Sequence, residues 1–180
     1  MAISPRANAE SFGFTLNGPG VSGQVTLTYG AATDARYNQA YEITGVSGTF
    51  TDTNNGLNIV NAPITGLEGL NSVPHEPTNL LTPADFSGFA IKSGLPAQEG
   101  GYLHYDNLLW PGGSQGVATD YDYGGGVFDI YGVLFDIGNG RVVNLWSNGV
   151  APFAPVLSYG VAVATKDTAL DYVSTGVNVT

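Results

Sequence analysis

Two aspartates, Asp120 and Asp122, stand at i and i+2 in Thr119-Asp-Tyr-Asp-Tyr-Gly-Gly-Gly126. In an extended segment they point the same way, and the glycines that follow let carbonyls approach. Hard oxygen donors in that arrangement suit Ca2+, the one cofactor these residue types suggest. The stretch lacks the further ligands and late Glu of an EF-hand loop, and an acidic turn facing water has the same composition. Asp52, Asn54 and Asn55 form a second oxygen-rich turn, which a hairpin role explains in full. A different chemistry is offered by aromatics. Tyr102, Tyr105, Trp110, Tyr121 and Tyr123 are interleaved with Asp106, Asn107, Asp120 and Asp122. Sugar-binding faces combine such aromatic planes with Asp and Asn hydrogen-bonding groups. Tyr102, Tyr105, Asp106, Asn107, Trp110 and Tyr121 are therefore the candidate glycan contacts. Tyr residues capping sheet edges produce the same composition, and Trp110 and Trp146 also read as core residues.

Hydrolytic chemistry has less to build on. The two histidines, His75 and His104, show no zinc-binding spacing. His75-Glu76 and His104-Tyr105-Asp106 could converge with a serine, but no Gly-x-Ser-x-Gly elbow is present. Acid pairs for glycoside hydrolysis cannot be assigned, because fifteen Asp and Glu always permit some pair. Gly124-Gly-Gly126 lacks the Lys and following helix of a phosphate loop. There is no cysteine, so no disulfide, thiolate metal site or thiol nucleophile.

These groups must be positioned by strands. Phe12, Phe14 and Leu16 alternate with small or polar residues, Asn17-Gly-Pro-Gly20 turns, and Val21 to Tyr29 returns. Tyr41 to Phe50 reads as the next strand, with Gly45 as a bulge. Asn55-Gly56 marks a hairpin turn toward Leu57 and Ile59. From Glu68 to Pro111 the period dissolves into a long loop insertion, where Thr82-Pro-Ala-Asp-Phe86 could open one short helix. Gly126 to Ile137, Arg141 to Ser147, Val156 to Ala164 and Ala169 to Val179 complete the strands. The expected architecture is an all-β fold: an antiparallel β-sandwich or flattened barrel, with crossover helices excluded.

The chain has 180 residues, five Lys and Arg against fifteen Asp and Glu, and a net charge of −10. Such a balance excludes nucleic acid as a default partner and disfavours anionic membranes. Charged residues make up only 11%, too few for a solvated helical bundle. No apolar run is long enough to span a membrane as a helix. Ala7-Asn-Ala9 before Glu10 has a signal-peptidase look. Residues 1–9 are thus expected to be a leader or remnant, and residues 10–180 a single domain. The acidic residues are expected to form a solvated rim.

Three boxes carry a resemblance. Asp106-Asn-Leu-Leu-Trp-Pro111 precedes a Gly-rich stretch, then come Gly132-Val-Leu-Phe135 and Val143-Asn-Leu-Trp146. This order resembles the exported β-rich proteins of Gram-negative bacteria that carry a PEP-CTERM sorting tail. The tail itself is absent here, and the Asn71 to Gly101 loop is long for the pattern. The resemblance implies export and a place at the cell surface or in an extracellular biofilm matrix, and it implies no reaction. The expected role is a non-enzymatic matrix protein, self-associating or bound to extracellular polysaccharide. The alternatives are a carbohydrate-binding module and a hydrolase with its site on the 68–111 loop.

Overall fold

The computed structural model describes residues 9–35, 37–70, 90–92, 103–116, 123–152, 154–165 and 169–180. Period-two patterning builds the first hairpin as the sequence predicts. β1 (Glu10–Gly18) pairs antiparallel with β2 (Val21–Thr33), and Phe14, Leu16, Val25 and Leu27 face one interior. β3 (Tyr41–Asp52) follows on β2, with the register breaking next to Gly45. Asn54–Gly56 forms a single 3-10 turn, and Asn55 and Gly56 both take positive φ. β4 (Ile59–Ile64) then returns along β3.

The next step closes the fold. After β4 the chain breaks at Thr65 and continues as β5 (Gly66–Leu67), which pairs with β9 (Val133–Asp136) instead of β3. One run therefore bridges the two ends of the sheet order β4-β3-β2-β1-β12-β11-β10-β9-β5. β10 (Arg141–Ser147), β11 (Tyr159–Thr165) and β12 (Ala169–Val179) complete the circuit back to β1. The result is a nearly closed antiparallel barrel. With β4–β5 counted as one run the circuit passes through eight strands, and an even number lets every neighbour be antiparallel. Of the two expected architectures, closure through Thr65 selects the flattened barrel.

The 68–111 segment is less empty than its sequence suggests. It holds β6 (Ala90–Lys92) paired with β7 (Leu103–Tyr105), and β8 (Leu108–Leu109) paired with the start of β3. The short helix expected at Thr82 lies outside the described residues. The expected strand Gly126–Ile137 is shortened to β9. Its first half is a turn, because the Asp129 carboxylate accepts the N–H groups of Tyr131 and Gly132.

Strands β9 to β11 are buried on both faces. Val143, Leu145, Val161 and Val163 face the barrel interior, yet Val142, Asn144, Trp146, Ala162 and Ala164 are buried as well. Gly160 makes room for this second layer, since a Cβ there would collide with the Trp146 indole. Inside the barrel, Phe50 on β3 and Phe135 on β9 meet edge-on with ring centroids 6.2 Å apart. They join opposite sides of the sheet without a hydrogen bond. Phe50→Ala is expected to cost about 3–5 kcal/mol by transfer and cavity terms. Urea unfolding followed by near-UV and far-UV circular dichroism should show the two probes shifting together, because both halves share this interior.

Candidate functional site

Short-range turn chemistry builds this site. Four aspartates share one local device: Asp52, Asp106, Asp129 and Asp136 each accept, through Oδ1, the N–H two residues on. Such Asx turns satisfy backbone donors where the chain leaves a strand. Two of these turns face each other. Asp106 and Asp129 are each 1% exposed, and the Asp106 side chain lies beside the Asp129 carboxyl. Two buried carboxyls side by side disfavour ionisation of both. Burial pushes the Asp129 carboxyl above its ordinary value of 3.8. The N–H groups of Tyr131 and Gly132 and the Asp106 side chain pull it the other way.

Asn107 lies beside this pair and ties four segments. Its backbone is left-handed (φ 55°), a conformation Asn tolerates well. Its N–H donates to Gly132 O at 3.0 Å, and its carbonyl accepts Ile43 N–H at 2.9 Å. Its side-chain Oδ1 accepts Leu134 N–H at 3.0 Å, and Nδ2 donates to Glu68 O at 2.8 Å. β3, the end of β5, β9 and the Asp129 turn are thereby joined at one residue. Gly132 is equally constrained. Its φ is 68°, and a Cβ there would meet the Leu145 carbonyl. Asn144 on β10 completes the cluster by donating to Tyr131 O and Val133 O. Tyr105 caps it from β7, its hydroxyl donating to Gly69 O at 2.6 Å. Burial raises that phenol well above its usual range, with the Glu68 charge adding to the shift.

The three sequence boxes, Asp106–Pro111, Gly132–Phe135 and Val143–Trp146, therefore meet in space. Of the glycan candidates, Tyr105, Asp106, Asn107 and Trp110 are brought together, but they are 0%, 1%, 4% and 1% exposed. Trp110 packs on Tyr37 with centroids 5.3 Å apart. An aromatic plane for a sugar must be open on one side, and these rings are covered. Tyr102 and Tyr121 lie outside the described residues, as do both calcium candidates, Asp120 and Asp122. Among the described residues, no group of three or more His, Asp and Glu is placed to hold a metal. The expected acidic rim is corrected in part, because Asp34, Asp52, Asp106 and Asp129 are buried. Their turns require the carboxylates inside.

Sequence reasoning missed Asp129 and Tyr131. The signal was the Asp-x-Tyr-Gly string, an Asx turn ending in a left-handed glycine, hidden within an apolar run. The surface also carries a concavity of about 370 Å³ at the open end of the β4 edge. Asn58, Asn61, Asn139 and Arg141 line it, beside Pro63 and Ile137. No family model, curated protein or solved structure matches the chain.

Two outcomes follow from this geometry. Asn107→Ala strands the Leu134 N–H and the Glu68 carbonyl and places Ala in a left-handed conformation. The expected loss is about 3–5 kcal/mol, at about 1–3 kcal/mol per orphaned buried group, read from urea unfolding. The Asp129 carboxyl sets a pH dependence. A carboxyl with a raised folded value binds its proton more tightly folded than unfolded. Its stabilisation is full below 3.8 and is lost as pH rises through the raised folded value. Asp106→Asn supplies a permanent donor to Asp129 and keeps the Leu108 turn. Melting temperatures across this range should decline with pH in the parent chain and run flatter in Asp106→Asn.

Proposed function

We propose that this chain is a non-enzymatic, exported surface or matrix domain of the kind its three boxes resemble. The observation that supports this reading is where the boxes' polar atoms are directed. Asp106, Asn107 and Asn144, with Asp129 just before the second box, turn their side chains inward onto backbone groups. A catalytic pair must reach substrate, and this pair is closed off. Polar groups turned inward in this way hold a scaffold together, which fits a protein whose task is to persist outside the cell. Self-association would use the seam between β1 and β12, where the paired residues are Leu16–Val179 and Asn17–Asn178. Thr15 N–H crosses this seam to Thr180 O. By strand alternation, Ser11 N–H turns toward the same side. Ser11→Pro should lower concentration-dependent association in sedimentation velocity while leaving the β1–β2 ladder and the melting temperature nearly unchanged. A strict monomer at every concentration would count against the self-associating form. Cell fractionation tests export: retention of the native gene product in the cytoplasm would sink it.

A carbohydrate-binding reading draws on a separate observation. The groove at Asn58, Asn61, Asn139 and Arg141 presents carboxamides and a guanidinium, groups that hydrogen-bond sugar hydroxyls. Asn61 and Asn139 have φ near 50°, so Gly replaces them without backbone strain. Affinity electrophoresis in polysaccharide gels should show retardation that Asn61→Gly with Asn139→Gly abolishes. Retardation that survives both changes would place the sugar elsewhere.

A further inference from the structure

Two aromatic rings that a ligand could reach lie at the rim where β1 begins, β2 ends and β3 starts. Glu10 opens β1 and stands directly across from Tyr29 on β2. By strand alternation Glu10 shares its face with Phe12 and Phe14, and Tyr29 shares its face with Val25 and Leu27. Both therefore belong to the inner face of the sheet. At this end that face opens to water: Phe12 and Tyr29 are half-buried and Glu10 is exposed. Tyr41, the first residue of β3, leans on Tyr29 with centroids 5.3 Å apart and planes tilted by 59°. The Tyr29 hydroxyl donates to Glu10 Oε2 at 3.1 Å, which fixes the carboxylate beside the two rings.

An irregularity in the ladder keeps this corner open. From the Tyr29–Ile43 pair to the Thr33–Tyr41 pair, β2 takes four residue steps against two on β3. The surplus is made of Gly30, Ala31 and Ala32, none large enough to cover a ring. Tyr41 is half-buried, unlike the covered Tyr105 and Trp110. Among the described residues no Lys or Arg pairs with Glu10. Arg141 lines the groove beside β4, whose Ile59 pairs with Asp52 at the far end of β3.

We propose that this rim binds a cationic amino sugar, with its C–H face against Tyr29 and Tyr41 and its ammonium group on Glu10. An ammonium is attracted to the face of a tyrosine ring within about 6 Å of its centroid. A charge-assisted hydrogen bond to a carboxylate adds to that attraction. The net charge of −10, which repels polyanions, draws a polycation. A hexosamine carries its ammonium and its apolar face on one rigid ring. A lysine side chain offers the same two groups only after its stem is ordered, at a cost in rotamer entropy. The inference rests on the polysaccharide-bound form of the proposed matrix role and names a sugar class for it. The groove at Asn61, Asn139 and Arg141 carries a cation of its own and is a separate place.

A short, fully deacetylated glucosamine oligosaccharide, titrated by calorimetry at physiological salt and slightly acidic pH, should bind the full chain. Its N-acetylated counterpart has no ammonium and should bind about tenfold more weakly. Glu10→Gln should weaken binding of the deacetylated sugar about tenfold, and Tyr41→Ala should weaken it as well. Glu42→Gln removes the same unit of charge next to Tyr41, on the outward face, and should bind like the parent. Glu10 and Glu42 are both exposed, so these two variants should keep the parent's melting temperature. Absence of binding by the parent chain would overturn the proposal, as would equal binding of the acetylated sugar. Equal losses in Glu10→Gln and Glu42→Gln would assign the attraction to net charge alone. A lysine tetrapeptide bound as tightly as the sugar would give the rim to a cationic peptide instead. Cytoplasmic retention of the gene product would sink export and leave this binding intact, so the two readings fail separately.

Discussion

The hydrogen bonds of Asn107 are the constraint on which this barrel depends. A β-barrel closes only if the first and last strands of its sheet are held at a fixed stagger. Here the closing run is short. β5 is two residues long and pairs with β9 at Gly66–Asp136 and Leu67–Phe135. Two ladder pairs are weak holding for so large a circuit. Asn107 reinforces the junction from outside the ladder by binding Glu68 beyond β5 and Leu134 within β9 through a single carboxamide. Its backbone carbonyl adds β3, the strand on the other side of the run. A left-handed residue is needed there because an extended one could not aim side chain, N–H and C=O at three different neighbours.

The Asp106–Asp129 pair follows from the same demand. Asp106 precedes Asn107 and fixes the N–H of Leu108, so it shapes the turn that presents the carboxamide. Asp129 fixes Gly132, whose carbonyl accepts from both Asp106 and Asn107. Each acid is needed for its own turn, and the two turns must touch. Burial then holds the Asp129 carboxyl above its ordinary value. The pair is a consequence of turn geometry, and its pH sensitivity needs no separate selective account.

How much of this was legible in the sequence divides along contact range. The β1–β2 hairpin and the Asn55-Gly56 turn were readable, because period two and positive-φ residues are local signals. β10 was placed correctly, but its two-sided burial was not, since Val142 to Ser147 buries both faces and alternation carries no information there. The boxes were visible as strings while their meeting was not. Asn107 binds Ile43, Glu68 and Leu134, and no spacing rule links residues so far apart. The Asp129 turn was lost because Val127, Phe128, Ile130 and Tyr131 around it imitate a strand. A carboxylate two residues before a Tyr-Gly pair outranks that imitation, since it offers the backbone hydrogen bonds that a ladder would otherwise supply.

The break at Thr65 shows why local propensity could not settle the topology. Ile64 faces the interior against β3, and Leu67 of β5 packs against the same interior beside β9. Between them Thr65 donates its N–H to Asp136 O at 2.8 Å and its hydroxyl to Asp136 Oδ1 at 3.0 Å. Asp136 also accepts Gly138 N–H at 2.6 Å, so the β9–β10 turn and the strand crossing are set by one carboxylate. Pro63, just before the crossing, has no N–H to continue a ladder toward β9. The chain therefore crosses only where a hydroxyl and a donor N–H become available together, at Thr65. A sheet with ordinary edges would have ended at β4. This one turns its last strand into the first neighbour of β9, and most of its edge backbone is spent inside the barrel.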